Sequence, residues 1–152
     1  MSSYSPLKDD FNILEKLINE LSIKKVIEFG PGGSTNFFNG LGIEVVSYEN
    51  NKKYLDINIK NGIQCRFYED KDGLGIHDED SYDLAFVDAP KGTNKLSRYN
   101  TLKYSLEKCK YVILHDSQRK GELESIEKLK ETFNIKVTQY NTKKGICLIE
   151  KI

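Results

Sequence analysis

The stretch VIEFGPGGST, residues 26–35, decides the fold. VIEF sets one carboxylate among apolar residues and reads as the end of a buried strand. GPGGST reads as a tight turn running into a helix, with Ser34 or Thr35 near the N-cap. Gly30 and Gly32 permit the turn and let a ligand approach the backbone closely. A strand, a glycine turn and a helix open a parallel α/β unit, and ligands of such sheets sit beyond the C-terminal strand ends, near the switch point. Glu28 stands two residues before Gly30. A carboxylate there suits a cationic or hydroxyl-bearing ligand and repels a pyrophosphate.

Working outward, the same alternation continues. Upstream, Phe11, Leu14, Leu17, Ile18 and Leu21 recur at helical spacing behind Asp9 and Asp10, which predicts an amphipathic helix over 8–22. Downstream, strands are predicted at 44–49 (EVVSYE), 63–69 (IQCRFYE), 82–89 (YDLAFVDA) and 110–116 (KYVILHD). Helices are predicted between them: a short one after the glycines, one closed by Gly62, and one over 94–108 carrying Leu96, Tyr99, Leu102 and Leu106. A further helix follows the fifth strand on Leu123, Ile126, Leu129 and Phe133. The end differs. IKVTQYN (135–141) and GICLIEKI (145–152) are joined by only Thr142, Lys143 and Lys144, which admits an antiparallel hairpin and no parallel crossover. The expected architecture is therefore α/β and Rossmann-like: a seven-stranded, mostly parallel sheet, helices on both faces, the last strand antiparallel.

Composition bounds the function. The chain has 152 residues, which suits one domain over 1–152: an N-terminal helix in 1–23 and a cofactor-binding core in 24–152. Lys plus Arg and Asp plus Glu are 23 each, so the formal net charge is zero. Broad polyanion binding usually needs a basic excess, so this balance argues against nucleic acid as the main partner without excluding a local basic patch. No apolar run is long enough to span a bilayer, and the start MSSYSPLKDDF lacks the apolar stretch of a signal peptide. Cys65, Cys109 and Cys147 are odd in number, far apart and without a CxxC pair, so reduced, mostly buried thiols in the cytoplasm are expected.

The second strand ends in Glu49, followed by Asn50. An acid about 20 positions after the glycines is the usual partner of a ribose hydroxyl pair. Nicotinamide proteins also use that device, but here Glu28 precedes the glycines, Thr35 replaces the third fingerprint glycine, and the chain closes in a hairpin. On these residues the sequence resembles the class I S-adenosylmethionine-dependent methyltransferases over roughly 24–152. The matching stretches are VIEFGPGGST, VVSYEN, YDLAFVDAP and KYVILHDS. The resemblance implies a cofactor site built from Glu28, Gly30, Pro31, Gly32, Ser34 and Thr35. Glu49 and Asn50 would lie at the ribose, Glu69 or Asp70 at the adenine, and Asp88 beside the methyl donor.

VDAPKG and ILHDS further resemble the small-molecule O-methyltransferases of the catechol type. That likeness implies Asp88 and Asp116 as ligands of Mg2+, which prefers hard oxygen donors, and Lys91 as base. Ser117 stands where the family usually has an Asn ligand. Two routes therefore stay open: a cation lowers the acceptor's pKa while Lys91 or His115 removes the proton, or His115 or Asp88 acts as base without metal. Arg98 and Tyr99 are candidates to line the acceptor site, although helical spacing assigns Tyr99 equally to the core. His77, among acids in a loop, reads as a surface residue. The expected activity is methyl transfer to an oxygen of a small molecule or sugar. The alternatives are a cofactor-binding domain without its own activity that needs a partner subunit, and a nicotinamide-binding domain; a homo-oligomer is open in each case.

Overall fold

The computed structural model describes residues 8–92 and 96–152. The chain runs α1 (Lys8–Glu20), β1 (Lys25–Phe29), α2 (Gly33–Gly40), β2 (Glu44–Glu49), α3 (Lys52–Lys60) and β3 (Cys65–Phe67). It continues β4 (Leu84–Val87), α4 (Tyr99–Lys108), β5 (Tyr111–His115), α5 (Lys120–Leu129), β6 (Ile135–Tyr140) and β7 (Ile146–Lys151). All strands join one sheet in the order β3-β2-β1-β4-β5-β7-β6. The first five pair in parallel. β7 runs antiparallel to both β5 and β6, so the short link after Tyr140 does close a hairpin.

Strand alternation sorts the core into two layers. Val26, Leu84, Phe86, Ile113, Ile146 and Leu148 point to one face and meet Leu14, Leu17 and Ile18 of α1 and Phe38 of α2. Ile27, Phe29, Ala85, Val87, Val112, Leu114 and Ile149 point to the other and meet Leu102 and Leu106 of α4 and Ile126 and Leu129 of α5. Strands buried on both faces read as continuous apolar runs because each alternate residue has a helix above it. α3 buries no residue fully and covers the sheet's β2–β3 edge.

Several elements are shorter than their sequence patterns, for local reasons. β3 keeps three of the seven predicted residues. Tyr68 then turns inward to pack edge-on against Phe29, and the Glu69 amide donates to Leu74 O, which starts a turn. β4 starts at Leu84 because the Asp83 carboxylate accepts from the amides of Lys24 and Lys25 at 2.8 and 3.0 Å. Ser34 and Thr35 do lie near the α2 N-cap: Gly32 holds the cap position itself, and Thr35, three residues on, accepts from its amide. Residues 94 and 95 of the predicted 94–108 helix lie outside the described residues, and α4 itself begins at Tyr99.

The switch point follows from the strand order. β1 pairs with β2 on one side and with β4 on the other, so the crossovers leave a crevice above their carboxyl ends. Glu49 and His115 end β2 and β5 on that edge, and Gly30, Asp88 and Asp116 directly follow β1, β4 and β5.

Candidate active site

The glycine loop is held by Glu28 from inside. Glu28 is fully buried, and its carboxyl accepts from Ser34 Oγ, from Thr35 Oγ1 at 2.5 Å and from Ser47 Oγ at 2.9 Å. Thr35 Oγ1 in turn accepts from the Gly32 amide at 3.0 Å. Burial pushes the Glu28 carboxyl up to about 7, and the three hydroxyl donors pull it part of the way back. Glu28 was expected to face a ligand directly. The structure turns it onto the hydroxyls of Ser34, Thr35 and Ser47, and Thr35 passes the contact on to the Gly32 amide of the loop. Pro31 and Gly32 are left on the half-buried outer side.

The two glycines differ. Gly30 has φ +91°, and a Cβ there would lie 2.9 Å from Asp88 O and 3.0 Å from Ala89 Cβ. The loop therefore abuts the end of β4, and glycine is required both by conformation and by contact. A Cβ on Gly32 would meet nothing within 4 Å, so the space beside it is open to a ligand.

Glu49 ends β2 and is nearly buried. Its Oε2 accepts from the Asn51 amide at 2.9 Å. Burial raises its carboxyl above the usual range, opposed by hydrogen bonds from the Asn51 and Asn50 amides. Asn51 also caps α3 by accepting from the Tyr54 amide, so Glu49 and Asn50 sit on a fixed strand-to-helix turn. Glu69 and Asp70 follow β3 on the exposed edge. Glu69 pairs with Lys71 at 2.8 Å, which holds its carboxyl below the usual range, and Asp70 accepts from Asn100 at 3.2 Å.

At the ends of β4 and β5 lies a buried charged cluster. His115 is fully buried, with Nδ1 3.0 Å from Asp88 Oδ1 and Nε2 3.1 Å from Asp10 Oδ2. Asp116 Oδ2 is 3.5 Å from Nδ1. Burial acts to lower the His115 pKa, but Asp88, Asp116 and Asp10 outweigh it and the net shift is upward. A carboxylate thus stands at each ring nitrogen, so both nitrogens are engaged within the cluster and the ring positions Asp88.

Arg98 completes the cluster. It precedes α4 at φ +65°, an uncommon conformation for a side-chain-bearing residue. Its side chain is 3% exposed. Nε donates to Pro90 O at 2.8 Å and Nη1 to His115 O at 2.7 Å. Nη2 lies 3.7 Å from Asp88 Oδ1 and 3.8 Å from Asp116 Oδ2. Arg119, more exposed, adds a second guanidinium 3.3 Å from Asp116. Lys91 is exposed on the loop after β4, His77 is exposed as expected, and Tyr99 packs partly against the core under Lys128.

The expected magnesium ligands meet this arrangement poorly. Asp88, His115 and Asp116 each offer an atom within 4.8 Å of the others. Both ring nitrogens of His115 are already engaged, however, and Ser117 Oγ donates to Gln139 in the hairpin at 2.7 Å. Arg98 already places a permanent positive charge against both carboxylates. Two carboxylates facing a fixed guanidinium are not the hard, oxygen-rich shell that Mg2+ requires. The described residues therefore do not fit the metal.

Its place in the first turn of α1 presents Asp10 as a helix-start acid. Its signal lay in the spacing: 10, 14, 17 and 18 form one stripe, and Asp10 is the charge on that buried face. An ionisable residue on an apolar stripe needs a partner across the core, and here the partner is His115.

No protein-family model matches the chain, and no curated protein matches it either. Solved structures do. An O-methyltransferase from Bacillus cereus, in complex with SAH, superposes with TM-score 0.68 at 15% identity, over 99% of this chain and 84% of that one. The Podospora anserina methyltransferase PaMTH1, SAH-bound, gives TM-score 0.69 at 16% identity over 98% and 80%. TomG, an O-methyltransferase from Streptomyces achromogenes in complex with SAM, gives TM-score 0.67 at 14% identity over 99% and 83%. The chain has the Rossmann-like methyltransferase fold. Within that fold, the glycine loop, Glu49 and the Asp88–His115–Asp116 cluster occupy the carboxyl ends of β1, β2, β4 and β5. Among the described residues, no helix is long and apolar enough to cross a membrane.

Proposed function

We propose that this chain is an S-adenosylmethionine-dependent methyltransferase acting on an oxygen of a small hydroxyl-bearing acceptor. The observation that carries this reading is the contact of Gly30 with the Asp88 backbone. It brings the cofactor-type loop and the charged cluster into one crevice, as alignment of a donor and an acceptor requires. The fold, and the SAM and SAH named for structures that share it, support the same reading.

In this reading the backbone around Gly30, Pro31 and Gly32 holds the amino-acid part of the cofactor, with Ser34, Thr35 and Glu28 behind it. Glu49 takes the ribose hydroxyls beside Asn50, and Glu69 or Asp70 borders the adenine. When bound, S-adenosylmethionine supplies an electrophilic methyl group and departs as S-adenosylhomocysteine. Asp88 lies beside the donor and orients the acceptor hydroxyl, itself held by Arg98 and His115. Lys91, exposed on the loop after β4, is the proposed acceptor of the hydroxyl proton. One C–O bond forms as one C–S bond breaks, and the proton ends on Lys91 Nζ. α1 and the sheet act here as one unit, since α1 delivers Asp10 to the cluster. The three free thiols suit the cytoplasm.

The test is transfer of labelled methyl to a panel of phenols, sugars and other small alcohols. Turnover by the wild type, with SAH binding kept but turnover lost in Asp88→Asn and Lys91→Met, supports the reading. Binding of SAH without turnover on any acceptor supports a cofactor-binding domain that needs a partner.

A further inference from the structure

We infer that the Arg98 guanidinium stands in the place of a divalent cation, so that the site is built to exclude one. The inference rests on the methyltransferase reading for its purpose, but its evidence is the cluster itself. A catalytic metal at the ends of β4 and β5 would have to neutralise Asp88 and Asp116 together. Arg98 already stands between them, with Nη2 3.7 Å from one carboxylate and 3.8 Å from the other, and Arg119 adds a second charge 3.3 Å from Asp116.

The guanidinium is not a surface group that has drifted inward. Two of its nitrogens donate to the carbonyls of Pro90 and His115, which leaves Nη2 aimed between the carboxylates. The backbone beneath it is fixed as well. Ser97 Oγ donates to the buried Glu122, and Ser125 Oγ donates to Ser97 O at 2.7 Å, so α5 clamps the residue before Arg98 from two sides. That clamp holds Arg98 at φ +65°. A strained conformation persists where its surroundings over-determine it, and such positions cluster at functional sites.

The charges agree with the geometry. Arg98 faces Asp88, Asp116 and the nearby Glu122, while Arg119 reaches Asp116 and His115 lies between Asp10 and Asp88. Guanidinium has no deprotonated form in proteins, so its charge is permanent, as a metal's is, but needs no water or free ligand. Arg98 thus acts as a positioning residue: it fixes the two carboxylates at the acceptor end of the crevice. The prediction is a methyltransferase site that is indifferent to chelators.

Mn2+ is the probe, followed by its electron paramagnetic resonance signal in the presence and absence of SAH. The wild-type chain should leave the signal of free Mn2+ unchanged into the millimolar range. Arg98→Gln and Arg98→Ala, which remove the guanidinium shared by the two carboxylates, should bind Mn2+ at least about tenfold more tightly. Arg98→Lys, which keeps the charge, should still exclude it. A merely structural role for Arg98 predicts no gain in any variant, and that result would overturn the inference. So would micromolar Mn2+ binding by the wild type that Asp88→Asn abolishes. If circular dichroism shows both neutral variants unfolded, the wild-type titration decides alone: binding refutes and non-binding supports. Failure of the methyltransferase reading shows separately, as absence of SAH binding to the wild type.

Discussion

Replacing Glu28 with Gln should change the pH dependence of stability more than the stability itself. The glutamine keeps the shape and one acceptor oxygen, and its amide can donate to Ser34 once that hydroxyl rotates. What it removes is an ionisable group whose carboxyl is raised from 4.5 to about 7 by burial. A folded-state pKa above the unfolded value means that the folded chain binds more protons in between. Stability from this group is therefore complete below about 4.5 and is lost as pH rises through about 7. The whole shift corresponds to about 3 kcal/mol. Integrated between pH 5 and pH 8, about 2.5 kcal/mol of it is lost in the wild type and none in Glu28→Gln. Urea unfolding of both proteins across this range gives the difference directly, and other titrating groups such as His115 cancel in the subtraction. The wild type should fall relative to the variant by about 2–3 kcal/mol, the variant being relatively more stable at pH 8. A difference that stays flat to within about 0.5 kcal/mol would refute the claim that Glu28 is a buried, hard-to-ionise brace of the glycine loop.

The two glycines should separate fold from ligand. Gly30→Ala meets both the positive φ and the Asp88 carbonyl and should cost about 3 kcal/mol in denaturant unfolding. Gly32→Ala meets no protein atom within 4 Å, so its melting temperature should hold while SAH affinity drops at least about tenfold. Asp10→Asn leaves His115 with one carboxylate partner fewer. The chain has only two histidines, so a proton NMR titration can follow His115 by itself. Its pKa should fall toward the ordinary value, and stability below pH 6.5 should drop by about 1–3 kcal/mol. That is the side of the titration where the raised pKa stabilises the fold. An unmoved His115 titration would show that the Asp10 contact carries no charge coupling.

Much of the fold was legible because buried parallel strands and amphipathic helices carry unmistakable periods. The 142–144 link was too short for a crossover, and this fixed the reversed last strand. Strand ends were misjudged where a side chain ended the ladder, as Asp83 does before β4 and Tyr68 does after β3. The glycine loop and the strand-end acids were visible because spacing along the chain places them. The internal use of Glu28 was not, since it depends on Ser47 from another strand. Long-range pairs were the least legible. Asp10 and His115 lie 105 residues apart, and the left-handed turn that points Arg98 at Asp88 has no sequence signature in an arginine. The inferred exclusion of a metal was illegible for the same reason: the carboxylates were readable and the guanidinium between them was not.

The most direct test of the account is a calorimetric titration of the wild type and Glu49→Ala with S-adenosylhomocysteine, with NAD as the control. The account predicts one SAH site per chain, no heat with NAD, and an affinity reduced at least about thirtyfold, near 2 kcal/mol, in Glu49→Ala. No SAH binding, or NAD binding that depends on Glu49, would contradict it.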